Sequence, residues 1–182
     1  MPATRFGNFA ANGLNRLAAR EHAWLERVNG MRLPRWEVVL FRAVSRLGNG
    51  IFWYALMGAL IVWHGYTALP AVAHMLAAGL VGTLLYMWLK GATERPRPYQ
   101  ACPTICCLTA PLDRFSFPSG HTLHAVTFSI IATAYYPALA ALVWPFTLLV
   151  AASRLVLGLH YPSDVVVGAL LGAAIAGLSL TL

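Results

Sequence analysis

Five long apolar stretches, separated by two short turns and two polar segments, constrain this chain more than any other feature. They run over residues 51–63, 68–89, 119–136, 138–159 and 165–182. A membrane-spanning helix needs about 20 consecutive apolar residues. The stretch 51–63 must therefore borrow from its flanks. Lipid offers no partner for backbone N–H and C=O groups, so each stretch is expected to be helical. Composition points the same way. The chain is 59% hydrophobic and only 10% charged, whereas soluble domains carry about 25% charged residues. That is too few charges to coat a soluble core of this size. The expected fold class is all-α, a multi-span transmembrane helical bundle.

Two N-terminal segments differ from these spans. Residues 12–29 place Leu14, Leu17, Trp24, Leu25 and Val28 at helical spacing, with Arg16, Arg20, Glu26 and Arg27 between them. This pattern reads as an N-terminal amphipathic helix lying on the membrane interface. The alternative is a helix packed on the end of the bundle. Residues 34–48 read as a second helix, opened by Pro34 and stopped near Gly48-Asn49-Gly50. Arg42 and Arg46 make it a poor span. The count is five spans, or six if 34–48 also crosses. The organisation expected is an interfacial segment over 1–35 and a membrane domain over 36–182. No apolar signal-peptide core interrupts the arginines of the first thirty-five residues.

The net charge of +7 is unevenly placed. Residues 1–50 hold eight Arg against three Glu. A basic chain can be a nucleic-acid binder, but these bases lie beside apolar spans. Anionic lipid surfaces and phosphate groups are the expected partners, and nucleic acid is not. No obligate protein partner is evident. Cys102, Cys106 and Cys107 match no zinc spacing. They read as small apolar loop residues, with a Cys102 disulfide open if the loop faces an oxidising space.

Three clusters break the apolar pattern: Lys90 to Arg97-Pro98, Pro118-Ser119-Gly120-His121, and Ser153-Arg154 to His160 and Asp164. With five spans all three fall at one membrane face. Lys90, Arg97 and Arg154 are three fixed positive charges suited to phosphate. Ser119 and Gly120 open a helix whose first N–H groups point at an anion. Asp164 beside His160 can hold one ring nitrogen and leave the other free to attack. The expected mechanism has His160 as nucleophile and His121 as the proton donor to the leaving oxygen. Water then attacks the phosphohistidine with His121 as base. The cations supply the charge, so no metal and no cofactor is expected. His124, one turn beyond His121, reads as packing or as a border of the site. Glu94 and Arg95 read as loop charges, and Asp113 and Arg114 as rim residues.

At these residues the chain resembles the type 2 phosphatidic acid phosphatase superfamily. That family's signature is Lys-x6-Arg-Pro, Pro-Ser-Gly-His and Ser-Arg-x5-His-x3-Asp, and all three parts match in order over residues 90–164. The resemblance implies a helical bundle, metal-independent phosphoester hydrolysis and a phosphohistidine intermediate. It implies the same roles for Lys90, Arg97, Ser119, Gly120, His121, Arg154, His160 and Asp164. The substrate it implies is a phosphorylated membrane lipid: phosphatidate, phosphatidylglycerol phosphate, a polyprenyl (pyro)phosphate or lipid A. A lipid phosphotransferase and a catalytically silent phospholipid-binding protein are the competing readings. The expected location is the bacterial inner membrane. The basic N-terminal half points the active face to the cytoplasm, whereas family precedent points it to the periplasm.

Overall fold

The computed structural model describes residues 20–29 and 34–182. No strand occurs among the described residues. Helix α1 covers residues 20–29. Then come α2 (Arg35–Arg46), α3 (Phe52–His64), α4 (Leu69–Thr93), the short α5 (Pro98–Ala101), α6 (Gly120–Tyr135), α7 (Ala140–Val156) and α8 (Pro162–Ser179). Residues 12–19 of the expected amphipathic helix lie outside the described residues.

Sequence explains most of the boundaries. Pro34 caps α2, and Pro70 and Pro162 sit in the first turns of α4 and α8, where a missing N–H costs nothing. Ser119 caps α6 by accepting from the Thr122 N–H. Between α2 and α3 the helix passes through a wide turn at Leu47–Ile51, where Gly50 has φ 114°. Glycine alone takes that conformation without strain. Pro145 lies inside α7, which continues through it.

Side-chain contacts fix how the helices run. Ser45 meets Arg154, Gly48 meets Val150, Phe52 stacks on Phe146 at 3.9 Å, and His64 stacks on Tyr136. The end of α2 and all of α3 therefore lie antiparallel to α7 and the turn before it. The short stretch 51–63 gains its length from the end of α2. On the other side, Gly79 faces Phe128 and Gly82 faces Leu123, so α4 runs antiparallel to α6. Gly168 faces the Ser119 carbonyl and Gly172 that of Leu123, so α6 and α8 run parallel. These glycines let backbones approach closely, the main source of helix attraction where lipid replaces water. A Cβ on Gly168 would sit 2.5 Å from the Ser119 oxygen.

Among the described residues, three helical stretches are long and apolar enough to cross a membrane: Arg35–Ala101, Pro137–Val156 and Pro162–Ser179. The first contains α2 to α5. Helix α6, with 16 residues, is shorter than a full span. The packing gathers the end of α4, the start of α6, the end of α7 and the start of α8 at one end of the bundle. The α4–α6 loop and α1 cover that end.

In α1 the described residues pack on the end of the bundle. Leu25 is fully buried against Ile105 and Tyr161. Asn29 donates to the Cys106 carbonyl at 3.0 Å, and Glu26 accepts from Thr104 at 2.7 Å. The three cysteines are unpaired thiols, so the open Cys102 disulfide is not formed.

Candidate active site

The end of α4, the Pro-rich turn that follows and the ends of α6, α7 and α8 enclose a cavity of 690 Å³. Lys90, Arg97, Gly120, His121, Arg154 and His160 line it. The three sequence clusters thus converge on one space. Away from them the wall turns apolar and aromatic, with Trp53, Leu80, Tyr86, Met87 and Phe128. A second cavity of 710 Å³, between α2 and residues 109–112, also reaches His121 and Arg154.

Lys90 lies in the last turn of α4 and donates to the Asp113 carboxylate at 2.9 Å and the Phe115 carbonyl at 2.7 Å. Arg97 lies between Pro96 and Pro98 with an extended backbone, just before α5. Its Nη2 donates to the same Asp113 oxygen at 2.9 Å, and its Nη1 donates to the Leu159 carbonyl at 2.8 Å. Arg154 is buried and donates to Ser45 Oγ, while its Nε has no partner among the described residues. Buried cations with spare donors are an anion site by charge and by hydrogen-bond count. Asp113, expected at the rim, sits on two of them. Burial would raise its carboxyl, but Lys90 and Arg97 hold it below the ordinary carboxylate range.

His160 stands in the tight connection between α7 and α8, where Gly158 has φ 71°. Arg97 Nη1 donates to its Nε2 at 3.4 Å. A guanidinium has only donors, so Nε2 carries the lone pair and Nδ1 the proton. Nδ1 lies 3.5 Å from Asp164 Oδ2, too long for a good hydrogen bond, and has no other partner among the described residues. Complete burial, then Arg154, Arg97 and Lys90, push His160 well below the ordinary imidazole range. That direction favours the neutral ring, the form an attacking nitrogen must have. Asp164 is at the third position of α8 and reaches back to accept from the Tyr161 N–H at 2.8 Å.

Two expected residues are placed differently from the rest. Ser119 is buried behind the cavity wall. Its N–H donates to the Asp164 carbonyl at 3.0 Å and its Oγ meets Thr122, so Gly120 alone of that pair faces the cavity. His124 lines the cavity, with Nε2 3.1 Å from the Gly79 carbonyl and its ring stacked on Phe128. The larger correction is Arg95. It is not a loop charge. It is buried and donates to Asp164 at 2.5 Å, to Ser163 Oγ at 2.8 Å and to Glu21 at 3.0 Å. Its one visible signal is position, two residues before Arg97 in a Pro-bracketed turn. Among the described residues, no three His, Cys, Asp or Glu side chains are grouped to hold a metal ion.

A helical bundle with a buried His–Asp pair facing a basic cavity is an arrangement suited to phosphate esters in a membrane. Comparison gives the class a family. The family model described as the PAP2 superfamily matches residues 67–182. Decaprenylphosphoryl-5-phosphoribose phosphatase of Mycolicibacterium smegmatis is 37% identical over 134 residues, covering 70% of this chain and 68% of that protein. The crystal structure of Aquifex aeolicus LpxE is similar with a TM-score of 0.75 and 28% identity, covering 88% of this chain and 94% of that one. That of the transmembrane PAP2 type phosphatidylglycerolphosphate phosphatase from Bacillus subtilis has a TM-score of 0.71 at 23% identity, over 97% and 91% of the two chains, a likeness of fold. The chain belongs to the PAP2 superfamily. It is a membrane protein and a lipid phosphatase.

Proposed function

We propose that this enzyme hydrolyses a terminal phosphate on a membrane lipid through a phosphohistidine on His160. The observation that carries the reading is the state of that ring. Its Nε2 lone pair faces the cations of the cavity, while Nδ1–H faces a buried carboxylate. Lys90, Arg97 and Arg154 bind the phosphate oxygens, joined by the N–H groups at the α6 start that Gly120 leaves open. Ser119 holds that helix start in place. Nε2 attacks phosphorus and the ester P–O bond breaks. His121 gives its proton to the leaving lipid oxygen. Water then attacks phosphorus, the P–N bond breaks, and His121 takes the proton back. Asp164 stabilises the imidazolium as positive charge develops. The fixed cations stabilise the charge on the phosphoryl oxygens, so no metal ion is needed. The apolar wall of Trp53, Leu80, Met87 and Phe128 takes the lipid chain.

The test is phosphate release in detergent from a panel of lipids, with and without chelator. The panel holds phosphatidate, phosphatidylglycerol phosphate and polyprenyl mono- and pyrophosphates. After the Mycolicibacterium relative, it also holds a polyprenylphosphoryl sugar phosphate. Release from at least one of them, unchanged by chelator, is expected. An enzyme that dies in chelator and revives with magnesium or zinc would refute the metal-free mechanism.

The same proposal places five spans in the inner membrane: residues 45–64, α4, α6 with its flanks, α7 and α8. The N-terminal segment and the active loops then share a face, and Arg42 and Arg46 are exposed there. Their charge supports a cytoplasmic position for this face. Cys106 and Cys107 are exposed on the α4–α6 loop and report on it. An impermeant thiol reagent should label them only after permeabilisation. Labelling in intact cells would turn the face outward, as family precedent has it.

A further inference from the structure

Asp164 is the carboxylate proposed to support His160, yet His160 is not what holds it. Its side chain is fully buried. One oxygen accepts from Arg95 and the other from the Tyr161 N–H. Only this second oxygen, Oδ2, faces the imidazole. Arg95 is held in turn from three directions. Its guanidinium lies over the Tyr161 ring at 4.0 Å, one nitrogen donates to Ser163 Oγ, and another donates to Glu21. Glu21 belongs to α1, more than seventy residues away in sequence. It accepts from the Ser163 N–H at 2.6 Å and from Ser163 Oγ at 2.9 Å. Next to it, His22 meets the Tyr161 hydroxyl at 3.1 Å. The α1 helix therefore closes a ring of contacts, Glu21–Arg95–Asp164 and Glu21–Ser163, around the first turn of α8.

We infer that Arg95 and Glu21 are positioning residues for the His160–Asp164 pair, so that α1 forms part of the catalytic apparatus. A buried carboxylate needs a counter-charge, and Arg95 supplies it from the side away from His160. This leaves Asp164 charged without drawing a proton from the ring. Arg95 on one oxygen and the Tyr161 N–H on the other together fix the rotation of the carboxylate. That rotation sets the distance from Oδ2 to Nδ1, and so the aim of Nε2 at phosphorus. Glu21 holds the other nitrogen of the Arg95 guanidinium in place and anchors the backbone of α8 at Ser163. None of these groups lines the cavity, so none touches the substrate.

The inference rests on His160 and Asp164 having the roles proposed above. The experiment separates the two claims. Full-length Arg95→Gln, Arg95→Lys, Glu21→Gln and Asp164→Asn are assayed for kcat and KM on one lipid phosphate. The rate of labelled phosphoenzyme formation and the thermal midpoint are measured beside them. Arg95→Gln should lose about 100-fold in kcat, the scale of a small misplacement of a reacting group, with KM unchanged. Phosphoenzyme formation should slow in parallel. Arg95→Lys should recover part of the loss, since one ammonium replaces only one arm of the fork. Glu21→Gln should lose less, again in kcat alone. A folded Arg95→Gln with wild-type kcat, beside an inactive Asp164→Asn, would overturn the inference and leave the functional reading standing. Full activity in Asp164→Asn would overturn the functional reading itself. If Arg95→Gln does not fold, Glu21→Gln decides: a kcat loss at constant KM supports the inference, and no change overturns it.

Discussion

Asp113 and Asp164 are the two carboxylates at the site, and they sit in opposite surroundings. The Asp113 side chain is 42% exposed, lies on the long α4–α6 loop and bridges Lys90 and Arg97. Asp164 is wholly buried, starts a helix and is paired with the buried Arg95. The first arrangement leaves two cations held by one group that water can reach. A phosphate can take its place at little cost in desolvation. The second arrangement has every charge paired inside the protein and nothing to exchange. The difference teaches how one site can be open to ligand on one side and fixed in geometry on the other. In the proposed mechanism the open side turns over its anion, while the His–Asp side stays constant.

The strongest way to break this comparison is to take a cation from the open side. Arg154→Ala removes a buried charge whose Nε has no protein partner among the described residues. Its kcat/KM should fall by about 100-fold to 1,000-fold, as when one preorganised donor to a developing charge is lost. A loss under threefold would show that Arg154 is packing and not phosphate binding.

Next in size is a change of packing beneath the fixed side. Gly168→Ala pushes a methyl against the Ser119 carbonyl, between the helix starts that carry His121 and Asp164. It should cost about 1–3 kcal/mol, the usual range for overpacking. Gly177→Ala, with open space around it, should be neutral or stabilise by about 0.5–1 kcal/mol through helix propensity. Thermal midpoints in detergent that move equally for both would contradict the close contact of α6 and α8.

His160 makes the fixed side sensitive to acid. Its folded pKa is well below the ordinary 6.5. Below that value the unfolded chain binds a proton that the folded chain refuses, so stability falls as pH drops from about 6.5. For this one group the slope approaches about 1.4 kcal/mol per pH unit. His160→Ala should remove that slope between pH 6.5 and 5. An unchanged slope would show that other groups dominate.

The smallest effect sharpens the open side. Asp113→Asn keeps the shape but removes the charge that competes with phosphate. Vanadate should then inhibit about tenfold more tightly, a difference near 1.4 kcal/mol. Unchanged or weaker inhibition would mean that Asp113 helps to hold the anion.

The open side was legible in the sequence and the fixed side only half so. Apolar runs gave the positions of α3, α4, α6, α7 and α8, because burial in lipid leaves a long unbroken signal. Lys90, Arg97, His121, Arg154 and His160 stood out as charge and polarity at the ends of such runs, and they line one cavity. Arg95 and Glu21 gave no such signal. A charge in a polar loop looks solvated until its partner is known, and these partners are 69 and 142 residues apart, in Asp164 and Ser163. Residues 20–29 posed the same problem. An apolar stripe with Leu25 fits a membrane surface and a protein surface equally well, and the structure adds the buried contact with Ile105 and Tyr161. Ser119 poses a related problem. A helix-opening serine announces free N–H groups, but the parallel approach of α8 brings the Asp164 carbonyl to its N–H.

The central claim is that His160 carries the phosphoryl group between the two steps. Rapid quenching of the enzyme with a lipid labelled in its terminal phosphate tests it most directly, with His160→Ala as the control. The wild-type chain should retain an acid-labile, base-stable label that maps to His160, and the His160→Ala chain should retain none and release no phosphate. Equal labelling of both chains, or steady phosphate release by His160→Ala, would contradict the account.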